Sequence, residues 1–156
     1  MNKLKGIQIT REGYERLKKE LDELVNKKRP LAVDRLSHAR SMGDLAENND
    51  YHQAKEALEF IDGKISELES VIGQAVVIRS NSGKRAAVEV GAKVKVGING
   101  NQQTFHIVGE WEADPKEKKI SHESPLGKAL VGRRVGEKVM VEAPVGSVEY
   151  TILEIE

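Results

Sequence analysis

The sequence contains no cysteine and few aromatic residues. None of its 156 residues is cysteine, which excludes disulfides and thiolate metal sites. Aromatic residues make up only 4% of the chain, whereas charged residues make up 32%. A small globular part combined with an elongated, solvated helical part would produce this balance. The length suggests one or two small domains.

Net charge and long apolar runs are absent as well. The 25 basic and 25 acidic side chains cancel, so any attraction to nucleic acid must come from local patterning. No apolar run approaches the roughly 20 residues that cross a bilayer, and the first residues lack the apolar core of a signal peptide. We therefore expect a cytoplasmic protein that does not enter a membrane.

The first half of the chain begins with a helical pattern that contains a proline. It follows the short alternating segment Ile7–Thr10, in which Thr10 is a candidate N-cap. Pro30 lies inside the pattern, so we expect a kink or a local adjustment of the helix there. The apolar residues of this pattern are Tyr14, Leu17, Leu21, Leu24, Leu36, Ala39 and Met42.

A second helical pattern is a heptad repeat. Its apolar residues alternate at spacings of three and four, namely Tyr51, Ala54, Leu58, Ile61, Ile65, Leu68 and Ile72. A short glycine-containing break separates the two patterns, so the simplest arrangement is an antiparallel coiled coil. Arms of about 30 residues would be roughly 45 Å long at ~1.5 Å per residue.

The second half of the chain changes to the period of two that is typical of strands. The alternating segments are residues 88–90, 92–96, 103–108, 138–142 and 148–153. Asn99 and Gly100 signal a hairpin turn. Ser124, Pro125 and Gly132 have the spacing of a short capped helix. The predicted fold is α+β, with a helical hairpin in residues 1–78 and a mostly antiparallel sheet with one helix in residues 79–156.

Residues 43–52, here called the tip segment, lie between the two helical patterns. Asp44 and Glu47 match a variant capping box that would start the second helix. Their oxygens also suit Mg²⁺, which one or two carboxylates hold while water or phosphate completes its shell. Two carboxylates do not complete a site, so a partner would supply the other ligands. The two interpretations are compatible, because a capped turn can still present a carboxylate.

Histidines and basic side chains surround the tip segment. His38 and His52 lie on either side of a turn without the arrangement of a zinc motif, so a zinc site is not expected. Basic residues on the first arm, together with Lys55, would guide a phosphate backbone toward the carboxylates, or would merely solvate a charged rod. Those on the first arm are Lys18, Lys19, Lys27, Lys28, Arg29, Arg35 and Arg40.

The tip segment with the residues after it, Gly-Asp-Leu-Ala-Glu-Asn-Asn-Asp-Tyr-His-Gln-Ala-Lys, resembles the tip motif of the bacterial Gre transcript-cleavage factors, GreA type. The resemblance covers nearly the full chain. It includes residues 10–17, 28–30, 62–65, 107–109, 120–121 and 124–132. Motifs spread over both halves are far more specific than a coiled coil alone.

This resemblance implies an N-terminal antiparallel coiled-coil hairpin and a C-terminal FKBP-like antiparallel sheet with one short helix. The C-terminal domain would dock on bacterial RNA polymerase through Ser124, Pro125 and Lys128. The coiled coil would enter the secondary channel of the polymerase. Prolyl isomerase activity is not expected, because this half has too few aromatic residues to line the necessary pocket.

The resemblance also assigns roles in the tip segment. Asp44 and Glu47 would help to hold a Mg²⁺ ion shared with the polymerase and would stimulate cleavage of backtracked RNA near its 3′ end. No cofactor would be bound stably by the protein alone, which would be a monomer and not itself an enzyme; DNA binding is also implied. The RNA-facing residues would be Arg40 and Lys55, and the tip-shaping residues would be Asn48 and Tyr51.

Two alternatives are kept open. A Gre-fold paralogue would occupy the channel and inhibit the polymerase without cleavage, although the presence of Asp44 and Glu47 argues against the altered tips of such proteins. A pure interaction module would use the coiled coil to bind a partner helix, and its acidic residues would only cap a helix. An elongation assay that measures cleavage and nucleotide addition separates the three hypotheses.

Overall fold

A computed structural model describes residues 6–44, 46–79 and 83–156. The chain divides into two compact units, one of residues 15–74 and the other of the described residues within 1–14 and 75–156. The reason is a parallel pairing of β1 (Ile7–Thr10) with β2 (Ala75–Ile78). This pairing joins the first strand to the C-terminal half. The sequence, in contrast, predicted two domains that are each one continuous stretch of chain, with the boundary after residue 78.

The first arm is helical on both sides of Pro30. Helix α1 (Arg11–Glu23) continues through a π-helical turn (Leu24–Lys28) into helix α2 (Arg29–Ser41). In the π turn, the N–H of Arg29 donates to the carbonyl five residues earlier. Pro30 is the second residue of α2; it has no N–H to donate, and its ring crowds the preceding turn of the continuous arm, which here is the π turn. The predicted local adjustment is therefore a π turn, and the arm is continuous.

Helix α3 (Asn49–Gln74) packs against α2 in the antiparallel sense. Near the turn, Ala39 of α2 is buried in one cluster with Ala54 of α3. Farther from the turn, Arg29 pairs with Asp62 at 2.7 Å. The residue on α2 that lies earlier in the chain thus contacts the residue on α3 that lies later. The two helices are therefore antiparallel, which confirms the predicted helical hairpin.

The predicted apolar seam is buried in part. Ala54 and Leu68 are buried, and the other predicted heptad positions of α3 are half-buried. Val71 is buried although it lies outside the predicted seam. Met42, which was predicted on the apolar face of the first arm, is 70% exposed. Met42 is exposed because α2 ends one residue earlier and Met42 belongs to the turn.

The other unit contains a five-stranded sheet. Its strands are β3 (Lys93–Ile98), β4 (Asn101–Val108), β5 (Lys119–Ser121), β6 (Lys138–Ala143) and β7 (Gly146–Ile155). Their order is β5-β4-β3-β7-β6. The strand β5 runs parallel to β4, and the other pairs are antiparallel, so the sheet is mostly antiparallel, as predicted, with one parallel edge strand. Residues 88–90, predicted as a strand, lie outside the sheet.

The core of this unit lies between the sheet and helix α4 (Pro125–Leu130). Leu130 of α4 is fully buried with side chains of β3, β4 and β7. Asn99 and Gly100 have φ angles of 48° and 81°, as a tight turn between β3 and β4 requires. The predicted α+β fold, turn and short helix are thus confirmed. Within the described ranges, no helix is long and apolar enough to span a membrane.

Candidate functional site

The turn between α2 and α3 presents both predicted catalytic carboxylates at the surface. Asp44 and Glu47 are exposed. One Asp44 carboxylate oxygen, Oδ1, accepts a hydrogen bond from the N–H of Ala46 at 3.0 Å, which forms a local turn. Because an ionised carboxylate can accept about four hydrogen bonds, this contact leaves Asp44 the capacity to bind a cation.

Asn48, and not Asp44, caps helix α3. Its Oδ1 accepts from the N–H of Tyr51 at 3.2 Å, and the helix begins at Asn49. The predicted capping box of Asp44 and Glu47 is therefore wrong, since both residues lie in the turn before the helix. Local sequence could not decide this point, because Asp44 and Asn48 are both favourable N-cap residues.

The Asn48 side chain also contacts the end of the preceding helix. Its Nδ2 donates to the carbonyl of Ala39 at 2.8 Å. This carbonyl, in the last turn of α2, also accepts from the N–H of Met42 at 3.3 Å. A single half-buried amide therefore bonds to a backbone group at the end of α2 and to another at the start of α3.

Tyr51 anchors the turn to the hairpin. It packs against the buried cluster of α2 and α3, and the exposed Arg40 guanidinium lies 5.8 Å from its ring centroid, a cation–π distance. The His52 ring contacts the Tyr51 ring edge-on at 5.4 Å, and its Nε2 lies 3.4 Å from the carbonyl oxygen of Ala46. Lys55 is exposed on α3. The structure thus brings the predicted RNA-facing and tip-shaping residues to one end of the hairpin.

The donor atoms of the turn fit a partial magnesium site. Throughout the part of the chain that the structure describes, no three potential ligand side chains gather closely enough to hold a metal ion. Asp44 and Glu47 offer the hard carboxylate oxygens that Mg²⁺ prefers, and Mg²⁺ is commonly held by one or two carboxylates. The chemistry of these oxygen donors therefore suits Mg²⁺, whose shell would need further ligands beyond two carboxylates.

The predicted docking residues belong to the other unit, at helix α4. Ser124 caps this helix, because its Oγ accepts from the N–H of Gly127 at 3.0 Å. Pro125 is exposed in the first turn. Lys128 is also exposed, and its Nζ lies 3.7 Å from the Glu123 carboxylate. Ser124 therefore has a structural role, whereas Pro125 and Lys128 are available for contact with a partner.

Glu112 is a buried carboxylate that the sequence reasoning missed. It is 5% exposed and accepts from the N–H groups of Thr10 at 2.9 Å and Gly109 at 3.1 Å, and also from the Thr10 hydroxyl. The Thr10 Oγ in turn accepts from the N–H of Gly13 at 3.2 Å, as an N-cap does. A Cβ on Gly13 would lie 2.2 Å from the Glu112 carboxylate. The sequence feature that could have indicated this close contact was Gly13, a glycine in the first turn of a predicted helix.

Comparison with known proteins adds independent observations. The family model described as "Transcription elongation factor, N-terminal" matches residues 7–77, and that described as "Transcription elongation factor, GreA/GreB, C-term" matches residues 83–156. The transcription elongation factor GreA of Thermodesulfovibrio yellowstonii is 45% identical over 151 residues, with 96% of each chain covered.

A second curated relative and a solved structure extend the comparison. The GreA protein of Bacillus anthracis is 40% identical over 150 residues, with 95% of each chain covered. The crystal structure of GreA factor homolog 1 of Thermus thermophilus is 28% identical, with a TM-score of 0.45, and covers 97% of this chain and 99% of that chain.

Proposed function

This chain belongs to the GreA/GreB family of transcription elongation factors, and we propose that it stimulates cleavage of backtracked RNA by bacterial RNA polymerase. The observation that supports this proposal is the exposed acidic turn. Asp44 and Glu47 lie between paired helices, and neither is consumed in capping α3, because Asn48 caps it. The polymerase is the enzyme, and this chain, acting as a cytoplasmic monomer, supplies groups to its catalytic centre.

In this proposal the helical hairpin enters the secondary channel and brings the turn to the RNA 3′ end. Asp44 and Glu47 would hold a Mg²⁺ ion jointly with polymerase ligands. When bound, this ion supplies the positive charge that activates water and stabilises the leaving oxygen of the phosphodiester. Asp44 contributes anionic ligand oxygens. Glu47 contributes either a second ligand or a hydrogen-bond acceptor that orients the attacking water.

The cationic and docking residues have separate tasks. Arg40, near the end of α2, and Lys55, in the second turn of α3, are exposed and would contact RNA phosphates, which would limit repulsion between the carboxylates and the RNA. Pro125 and Lys128 of α4 would contact the polymerase, and Ser124 would hold their helix in shape. This division predicts that substitutions in the turn and in α4 impair different steps.

The test measures RNA cleavage in stalled, backtracked elongation complexes at several Mg²⁺ concentrations. Asp44→Asn or Glu47→Gln should slow stimulated cleavage by about 100-fold, the loss expected for about 2.7 kcal/mol of transition-state stabilisation. Affinity for the polymerase should change little. Cleavage by Asp44→Asn at the wild-type rate would refute the proposal.

A docking variant serves as the matched control. Lys128→Glu should weaken polymerase binding, and a saturating concentration of this variant should restore cleavage. Inhibition of nucleotide addition by the wild-type protein without any cleavage would instead identify a channel-blocking paralogue. Turn variants that show no Mg²⁺-dependent difference in any RNA assay would indicate an interaction module.

A further inference from the structure

We infer that Asn48 is a positioning residue for Asp44 and Glu47, an inference that rests on the proposed function. Its amide bonds to both helices of the hairpin, with Nδ2 on the Ala39 carbonyl at 2.8 Å and Oδ1 on the Tyr51 N–H at 3.2 Å. The first of these bonds joins residues nine positions apart. Both carboxylates lie inside the loop that it closes.

Loop closure restricts the conformations available to the two carboxylates. A metal ion binds most tightly to ligands that are already held near their productive positions, and a reacting group is likewise best served by them. The conformational entropy of these ligands has then been lost during folding and not on binding. The turn has further contacts of its own, since Ala46 bonds to Asp44 through its N–H and approaches His52 through its carbonyl. The Asn48 bonds attach this turn to the ends of α2 and α3.

The chemistry of this position favours an amide. One side chain must offer a donor to Ala39 and an acceptor to Tyr51, and asparagine carries both on one short stem. Aspartate retains an acceptor but has no donor when ionised, and its charge would face the Ala39 carbonyl. Each polar atom of Asn48 makes one bond to a backbone group of the hairpin, and on this basis we assign it to positioning the carboxylates.

The test uses Asn48→Asp with Asn49→Asp as the matched control. Asn49 is exposed at the first position of α3, so its substitution adds the same charge next to the same turn without removing a bond between the helices. In the free protein without metal, Asn48→Asp should accelerate amide hydrogen exchange at Ala46 by about tenfold, the effect of losing one part-buried hydrogen bond. Asn49→Asp should leave this exchange nearly unchanged.

The cleavage assay supplies the second readout. With Asn48→Asp, the Mg²⁺ concentration for half-maximal cleavage should rise about tenfold, and saturating Mg²⁺ should restore the maximal rate. Equal behaviour of the two aspartate variants in both measurements would overturn the inference, as would a loss that no Mg²⁺ concentration restores. If Asp44→Asn itself cleaves normally, the proposed function fails instead. Asn48→Ser, which retains a cap, should reproduce the exchange result if Asn48→Asp folds poorly.

Discussion

Asp44 and Glu47 lie at the surface before α3, whereas Glu112 is buried against the start of α1. The buried carboxylate accepts from two backbone N–H groups and a hydroxyl. The exposed Asp44 accepts from the N–H of Ala46. Acidic groups near two helix starts therefore have different surroundings, since one satisfies backbone donors within the fold and the others are exposed to solvent.

The physical basis of this difference is burial. A buried carboxylate is tolerated only when donors surround it, because the cost of removing a charge from water is otherwise too high. Glu112 meets this condition, so its oxygens are occupied by the protein itself. The exposed carboxylates keep their hydration and can exchange water for a cation. We therefore expect Glu112 to contribute to stability and, under the proposed function, the tip carboxylates to contribute to activity.

The largest expected stability difference is between Glu112→Gln and Glu47→Gln. Glu112→Gln should lower the free energy of unfolding by up to about 3 kcal/mol, because the amide cannot accept hydrogen bonds at both atoms. Glu47→Gln should change it by less than about 0.5 kcal/mol, as exposed substitutions usually do. Chemical denaturation of both variants measures the difference. Equal stabilities would remove the contrast between the two acidic sites.

A smaller effect is expected from alanine at two helical glycines. Gly13→Ala should cost about 1–2 kcal/mol, because its Cβ would collide with the Glu112 carboxylate. Gly63→Ala should stabilise α3 by about 0.5–1 kcal/mol, because the added Cβ would meet no atom within 4 Å beyond its chain neighbours and the nearby helix backbone. Denaturation of both variants and of Gly13→Ala combined with Glu112→Ala tests this explanation. In the combined variant the Gly13→Ala cost should disappear.

The smallest expected effect concerns pH and His106, a residue of β4. Burial, followed by the charge of Lys93, lowers the pKa of His106 below 6.5, while Glu12 and Glu112 oppose the shift. The unfolded chain therefore binds the proton more tightly, so the stability that His106 contributes is present above pH 6.5 and is lost as pH falls through the lowered folded-state pKa.

Unfolding free energies measured across this pH range check the prediction. His106→Asn should remove this component of the pH dependence. Glu112→Gln should lower the pKa of His106 further, because a negative charge that favours the imidazolium is removed. A substitution in the tip segment should leave the His106 titration unchanged, and a shift there would contradict the separate roles of the two acidic sites.

Features encoded by neighbouring residues were predictable from the sequence. The heptad pattern predicted the helical hairpin, and Pro30 indicated the local adjustment that the π turn provides. Asn99 and Gly100 predicted the β3–β4 turn, and Ser124 with Pro125 predicted α4. In each case the interacting groups lie within a few residues or repeat regularly, so local propensity determines the result.

Pairings between distant residues were not predictable in the same way. Strand alternation cannot specify which strand is the neighbour, so neither the parallel β1–β2 pair nor the parallel β5 edge could be predicted from it. Glu112 contacts Thr10 across 102 positions, and its immediate sequence contains no sign of that partner. Such contacts depend on which backbone donors the folded chain leaves for the carboxylate.

The structure of the acidic turn depends both on its local sequence and on tertiary contacts. The sequence by itself determined that carboxylates separate two helical segments and that the motif resembles a known family, because composition and spacing are local properties. Only the tertiary structure decided that Asn48 caps α3 while Asp44 and Glu47 stay exposed. The reason is that the Asn48 amide reaches the Ala39 carbonyl as well as the Tyr51 N–H, and the first of these contacts exists only when α2 and α3 pack together.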